Sequence, residues 1–121
     1  MQLLNIGGFN VPPGRNRAFQ EWVRANSEPL GSAAPAGVEL VGIYASVLAT
    51  EKHSGFYKVI WRLDSYGAMD RFAAAAGQNR EFARLMDEFG SFGDVRIGAD
   101  FSGELLKAVS DITIWADPPE S

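Results

Sequence analysis

The chain has 121 residues, 46% hydrophobic and 21% charged, enough for one domain with an ordinary core and too few for two. Cysteine is absent, which excludes disulfides, thiol catalysis and zinc–thiolate sites, and the single histidine excludes a multi-histidine metal site within one chain. A net charge of −4 supplies no basic footprint for nucleic acid, and no apolar run approaches the roughly 20 residues that cross a bilayer.

The first residues, Met1-Gln2-Leu3-Leu4-Asn5, have neither the basic nor the apolar region of a signal peptide. The expectation is a cytoplasmic chain with no nucleic-acid or membrane partner. Residues 1–121 read as one domain, with the core in about 3–106 and a C-terminal extension and tail in 107–121.

In chain order, Leu3 to Val11 is an apolar run with β-branched and aromatic members, stopped by Pro12-Pro13-Gly14, which predicts a strand and a turn. Ala18, Phe19, Trp22, Val23 and Asn26 recur at helical spacing among charged neighbours, the mark of an amphipathic helix. Ser27 to Gly37, with two prolines and two glycines, reads as a loop. Val38 to Ala49 and Phe56 to Leu63 are strand-like and flank a polar tip, so they pair as a hairpin with a long connection.

Asp64-Ser65 then offers an N-cap, with Met69, Phe72, Ala73 and Ala76 on one helical face. Gly77-Gln78-Asn79 interrupts the helix, and Phe82, Leu85, Met86 and Phe89 resume it at i, i+3, i+4 and i+7. Val95 to Phe101 is the last clear strand. Glu104 to Val109 reads as one or two helical turns, Asp111 to Trp115 as an edge strand, and the residues from Asp117 onward as a frayed tail.

The order is therefore β-α-β-β-α-β, an α+β, ferredoxin-like unit: a four-stranded antiparallel sheet with its helices on one face. The other face has no internal cover, about 350 Å² from ordinary strand spacings. Leu40, Tyr44 and Leu48 alternate with Val41, Ile43 and Val47, so both sides of the sheet are apolar and a second copy is the expected cover.

Phe9-x-Val11-Pro12-Pro13-Gly14, Val41-Gly42-Ile43-Tyr44, Ile60-Trp61-Arg62-Leu63-Asp64-Ser65 and Asp100-Phe101-Ser102 together resemble the NIPSNAP-like branch of the dimeric α+β barrel superfamily. The Trp-Arg-x-Asp-Ser element is the most specific part, and Leu63 stands where that family usually carries an aromatic residue. The resemblance implies a ferredoxin-like protomer, a homodimer through the sheet face, and a cavity between sheet and helices or inside the barrel. It leaves the chemistry open, because the superfamily includes cofactor-free oxygenases, polyketide cyclases, haem-degrading proteins and members of unknown role. Cyclases of the superfamily place a histidine before the second segment of the second helix; Asn79 stands there and cannot act as a base. Haem-degrading members use an Asn on the first strand, which Asn5 matches, and a Trp and a His on the second helix, absent between Tyr66 and Phe89. No cofactor and no metal are expected.

Six residues are candidates for a site. His53 is the only histidine, the side-chain type whose unperturbed pKa lies near neutrality, and it falls at the polar hairpin tip, either at a barrel mouth or dimer contact or simply exposed. Asn5 interrupts an apolar strand; with Leu4 and Ile6 facing the helices it points to the open side beside Gly7, as a ligand group or paired to backbone or water. Tyr44 brings a phenol to the same side, as an acid/base or as an interface residue with its hydroxyl satisfied. On the third strand, Tyr57, Val59, Trp61 and Leu63 are assigned to the helices and Lys58 and Arg62 to the barrel, where they meet an anionic ligand or a carboxylate such as Glu39 or Asp100. A one-residue register error would put Trp61 in the cavity instead.

The expectation is a small-molecule-binding homodimer, with a cofactor-independent oxygenase or a cyclase or isomerase acting on an aromatic or polyketide-like substrate as its enzymatic version. The alternative is a non-catalytic stress, carrier or interaction protein with a packed dimer core. Convergence of Asn5, Tyr44 and Arg62 around a void decides between them.

Overall fold

The computed structural model describes residues 2–50, 55–94 and 102–109. Strand β1 (Leu3–Phe9) leads through a 3-10 turn (Pro13–Arg15) to helix α1 (Asn16–Ala33), then β2 (Val38–Ala45), β3 (Tyr57–Leu63), α2 (Gly67–Gln78), α3 (Arg80–Ser91) and β4 (Ser102–Lys107). The four strands form one sheet in the order β2-β3-β1-β4, every neighbouring pair antiparallel. This is the α+β, ferredoxin-like arrangement expected from the element order. The proposed histidine His53, the strand expected at Val95 to Phe101, Asp100, and the elements expected beyond Val109 lie outside the described residues.

The helices pack on one face. Leu3, Trp61 and Leu63 from the strands meet Leu30 of α1, Ala68 and Ala75 of α2, and Phe82 and Leu85 of α3. A second cluster joins Phe9 and Tyr57 to Phe19 and Phe92: Phe19 meets the other three rings edge-on at 4.8 to 5.7 Å, and Phe9 stacks on Tyr57 at 5.9 Å. Such edge-to-face contacts suit the aromatic quadrupole. The i, i+3, i+4, i+7 set of α3 does what its spacing requires: Phe82 and Leu85 are fully buried and Met86 and Phe89 pack behind them.

The break between α2 and α3 falls at Asn79, in extended conformation, whose Oδ1 accepts the Phe82 N–H at 3.1 Å. At the start of α2, Ser65 Oγ accepts the Ala68 N–H at 3.1 Å, the cap that Asp64-Ser65 promised. Gly37, at φ 81°, turns the chain into β2; a Cβ there would lie 2.6 Å from both Asp64 Oδ1 and Arg71 Nη2, an ion pair that closes over the turn.

Three expectations are corrected. The segment from Ser27 is not a loop: α1 continues through Pro29 to Ala33. Leu30, with no exposed surface, anchors this turn in the core, and Gly31 permits close approach of Leu40 at 3.4 Å from a would-be Cβ. Burial of a leucine is worth about 1.5–3 kcal/mol, enough to offset most of the cost of an internal proline. Glu104 to Lys107 is strand, not helix, because it supplies the hydrogen-bond partner for the outer edge of β1. The third correction concerns β2. A bulge lets Leu40 pair with Trp61 and Gly42 with Ile60, leaving Val41 as the extra residue. Leu40 and Tyr44, expected on one face, are therefore on opposite faces.

Candidate functional site

The face of each strand decides which candidates can meet. Tyr57, Trp61 and Leu63 are buried under the helices, so the division expected for β3 holds. Register then propagates it: Leu3 pairs with Leu63, Asn5 with Trp61, Gly7 with Val59 and Phe9 with Tyr57. Residues directly opposite in a sheet share a face. Asn5 therefore lies on the helix side with Leu3 and Phe9, the reverse of the expectation that Leu4 and Ile6 face the helices. The larger buried payload of Leu3 and Phe9 sets this parity; both are core residues.

Asn5 and Trp61 border a small cleft between the sheet and α2. Its other walls are Leu63, Met69, Phe72 and Ala73, and its volume is about 160 Å³. Two of its walls are aromatic, Trp61 meeting Phe72 edge-on at 5.0 Å, and the buried Phe82, outside the lining, packs 6.0 Å from Trp61 and 5.8 Å from Phe72. Asn5 is the one polar side chain in the lining. Among the described residues no side-chain hydrogen bond engages its amide, which carries two donors and an acceptor.

The open face collects the other candidates. Lys58 lies opposite Gly8 on one side and Tyr44 on the other; Arg62 lies opposite Leu4 and Glu39. Arg62 Nη1 donates to Glu39 Oε2 at 3.1 Å, so the structural ion pair is the arrangement present. Its Nε is buried without a hydrogen-bond partner. Tyr44 is 49% exposed, and its ring lies across Gly42, where a Cβ would come within 2.9 Å of it. Leu4, Ile6 and Ile60 are half-buried on this face and Leu106 beside them is exposed, a surface that no element described in this chain covers.

Asn5 and Trp61 are thus brought together on one side, and Tyr44, Lys58 and Arg62 on the other. The convergence of Asn5, Tyr44 and Arg62 does not occur. Met69, Phe72 and Ala73 are site residues that sequence reasoning treated only as a helix face. The signal that finds them is β3 parity: Trp61 was already assigned to the helices, and antiparallel pairing carries Asn5 with it. Among the described residues no group of three or more His, Asp or Glu is placed to hold a metal ion, and no helix is long and apolar enough to cross a membrane.

No family model matches the chain, and no curated protein matches it. Solved structures do. A NIPSNAP family protein from Agrobacterium tumefaciens superposes with a TM-score of 0.66 at 7% identity, covering 90% of this chain and 87% of its own. An uncharacterized NIPSNAP-like domain protein from Burkholderia xenovorans gives 0.63 at 12% identity, over 99% and 95% of the two chains. A putative antibiotic biosynthesis monooxygenase from Bordetella bronchiseptica gives 0.62 at 18% identity, over 89% and 97%. At these identities the likeness is one of fold, and it is the fold that the NIPSNAP-like resemblance implied.

Proposed function

We propose that this protein is a homodimeric small-molecule-binding protein that takes a single-ring aromatic ligand in the cleft between β1, β3 and α2, with Asn5 as its polar anchor. The observation that carries this reading is the Asn5 amide, facing an apolar, ring-lined space with no protein partner among the described residues. Asn5 is half-buried, so its amide is open to the cleft, where a ligand oxygen would take the hydrogen bond that water otherwise makes. The 160 Å³ volume sets the size class, since an apolar cavity of about 150 Å³ binds benzene. The expected ligand is a phenol or an aryl ketone.

The cleft lining contains no group that transfers protons, and the Tyr44 phenol is on the opposite face. Acid/base catalysis through Tyr44 therefore has no support, and binding is the primary role. An oxygenase form of the same reading, suggested by the name of the Bordetella structure, would also need a base to take the ligand's proton; the Asn5 amide could hold the resulting anionic oxygen, but the lining supplies no such base. Oxygen uptake with bound phenols or quinols separates the two. The open sheet face, with Leu4, Ile6, Ile60 and Leu106, is where the second copy packs.

The test is a thermal-shift comparison of phenol with benzene. Ligand at 100 times its Kd stabilises by about 2.7 kcal/mol, a shift of several degrees in Tm. Phenol should exceed benzene in the native chain, and the difference should vanish in Asn5→Leu. If no aromatic raises Tm, the ligand reading fails. Sedimentation showing a folded monomer at micromolar concentration would overturn the dimer.

A further inference from the structure

A second cleft lies along the outer edge of the sheet, between α1 and β2. Its volume is about 220 Å³, and Phe19, Gln20, Val23 and Arg24 of the helix and Ile43 and Ala45 of the strand are prominent in its lining. It shares no residue with the Asn5 cleft.

The helix supplies a base and a charge. Gln20, Val23 and Arg24 recur at i, i+3 and i+4, so one face of α1 carries all three to the cleft. Phe19 is buried, and Val23 and Ile43 pack half-buried against its cluster, which makes the base apolar. Arg24 is the one charged residue in the lining, and no carboxylate accompanies it there. Acids near it in sequence are not its partners. Glu21 pairs with Arg17 at 3.4 Å, and Glu28, one turn on, makes no ion pair among the described residues. A solvated arginine is ordinary on a surface. The strand beside it sets this one apart.

On that side β2 is the last strand of the sheet. The Ser46 N–H donates to the Phe56 carbonyl at 2.7 Å, which fixes the phase of the β2–β3 ladder. Hydrogen-bonded and non-hydrogen-bonded pairs alternate, so Tyr44 turns its backbone groups to β3 while Ile43 and Ala45 turn theirs outward. Neither outward N–H has a protein acceptor among the described residues. The cleft therefore holds two backbone donors and a guanidinium. The outward carbonyls of the same strand residues favour a cation, but they are partial charges, and the full charge of Arg24 decides the sign. The volume, below the roughly 300–1,000 Å³ of drug-sized sites, restricts the ligand to a small molecule.

We propose that this cleft binds a small aliphatic carboxylate, its oxygens held by the Arg24 guanidinium and the Ala45 N–H and its hydrocarbon body laid on Val23 and Ile43. Charge-assisted bonds are about twice as strong as neutral ones, and the guanidinium fork matches carboxylate geometry. The site goes beyond the aromatic-ligand reading and stands or falls apart from it.

The experiment titrates the full chain with hexanoate and, separately, with hexanamide, which keeps the hydrocarbon and loses the charge, followed by calorimetry and by backbone amide NMR. Hexanoate should bind saturably and about tenfold more tightly than the amide, with the Ala45 amide signal among the largest shifts. Arg24→Gln, at an exposed helical position, should bring the two ligands to within about twofold of each other. Arg17→Gln removes an equal charge from the same helix outside the cleft and should leave the preference intact. Ala45→Pro deletes the outward N–H, a change that edge strands tolerate, and should weaken hexanoate severalfold. Equal affinity for the two probes, no saturation by millimolar hexanoate, equal effects of the two arginine changes, or hexanoate binding unaltered in a folded Ala45→Pro would each overturn the proposal.

Discussion

The two faces of the sheet use similar residues to opposite ends. Under the helices, Leu3, Trp61 and Leu63 are removed from water and interlock with Leu30, Phe82 and Leu85. On the other side, Leu4, Ile6 and Ile60 are no less apolar yet only half-buried, and charge is threaded among them as Lys58 and the Arg62–Glu39 pair. The covered face holds the protomer together; the open face is left bare by every element described. Adjacent residues of one strand therefore differ sharply in what they stabilise.

Leu3 and Leu4 give the widest separation. Leu3→Ala should cost about 2–5 kcal/mol in urea unfolding at any protein concentration, since it leaves a cavity in a close-packed core. Leu4→Ala should cost under about 1.5 kcal/mol in dilute protein, rising with concentration as a second copy covers the face. Equal, concentration-independent losses at both sites would erase the distinction between the faces.

The next effect concerns how the covered face is assembled. Asn79 joins two helices and a third: its Oδ1 caps α3 through the Phe82 N–H, and its Nδ2 donates to the Ala33 carbonyl at the end of α1 at 3.0 Å. Asn79→Ala should destabilise by about 1–2 kcal/mol, most of it from the lost cap. Asn79→Asp, which keeps the acceptor and loses the donor, should recover the larger share. If Ala and Asp cost the same, the bond to Ala33 and not the cap is the larger contribution.

Local patterns made most of this fold legible. Helical spacing picked out the inward face of α3, alternation sorted β3 correctly, and Gly77-Gln78-Asn79 marked the break between α2 and α3. What escaped was set by partners distant in sequence. Nothing local to Leu3-Leu4-Asn5-Ile6 says which parity faces inward; the neighbours Leu63 and Trp61, some 56 to 60 positions on, decide it. The Val41 bulge is invisible for the same reason, since it exists only as a mismatch with β3. Leu30 held α1 in helix through a Pro that punctuates most sequences, a tertiary contact overriding a local signal. Of the candidate site, the residue types were legible and their grouping was not: Asn5 and Trp61 belong together, Tyr44 and Arg62 elsewhere. Only β3 was sorted correctly, and extending its parity by pairing to β1 would have found the cleft.

A smaller effect tests the charge on the open face. The Arg62–Glu39 pair is solvent-accessible, and such pairs contribute roughly 0–1 kcal/mol. Arg62 also buries an Nε with no acceptor, a cost that removal of the guanidinium relieves. Arg62→Met should therefore leave protomer stability within about 1 kcal/mol of the native value, with a somewhat weaker salt dependence than the native chain. A loss well above that range would mean that Arg62 holds the β2–β3 edge, not the surface presented to a second copy.

The smallest effect lies farthest from either face, on the exposed side of α3. The hydrogen bond from Arg84 lowers the Glu81 carboxyl below its ordinary value of 4.5, against an opposing desolvation and with a smaller contribution from the positive charge of Arg84. Arg84 also reaches Glu88 at 3.2 Å, so the three form a short network along the helix. A carboxyl whose folded pKa is depressed contributes stability that is present above the unfolded value and lost as pH falls through the folded one. Acid unfolding of the native chain and Glu81→Gln should therefore differ slightly near pH 5 and converge as the pH drops below the folded pKa. Full exposure keeps the difference small, because water and salt screen the pair. A gap between the two chains that instead widens toward low pH would place the stabilising proton on some other carboxyl, and the network around Arg84 would then be ornament on a helix held by Phe82 and Leu85.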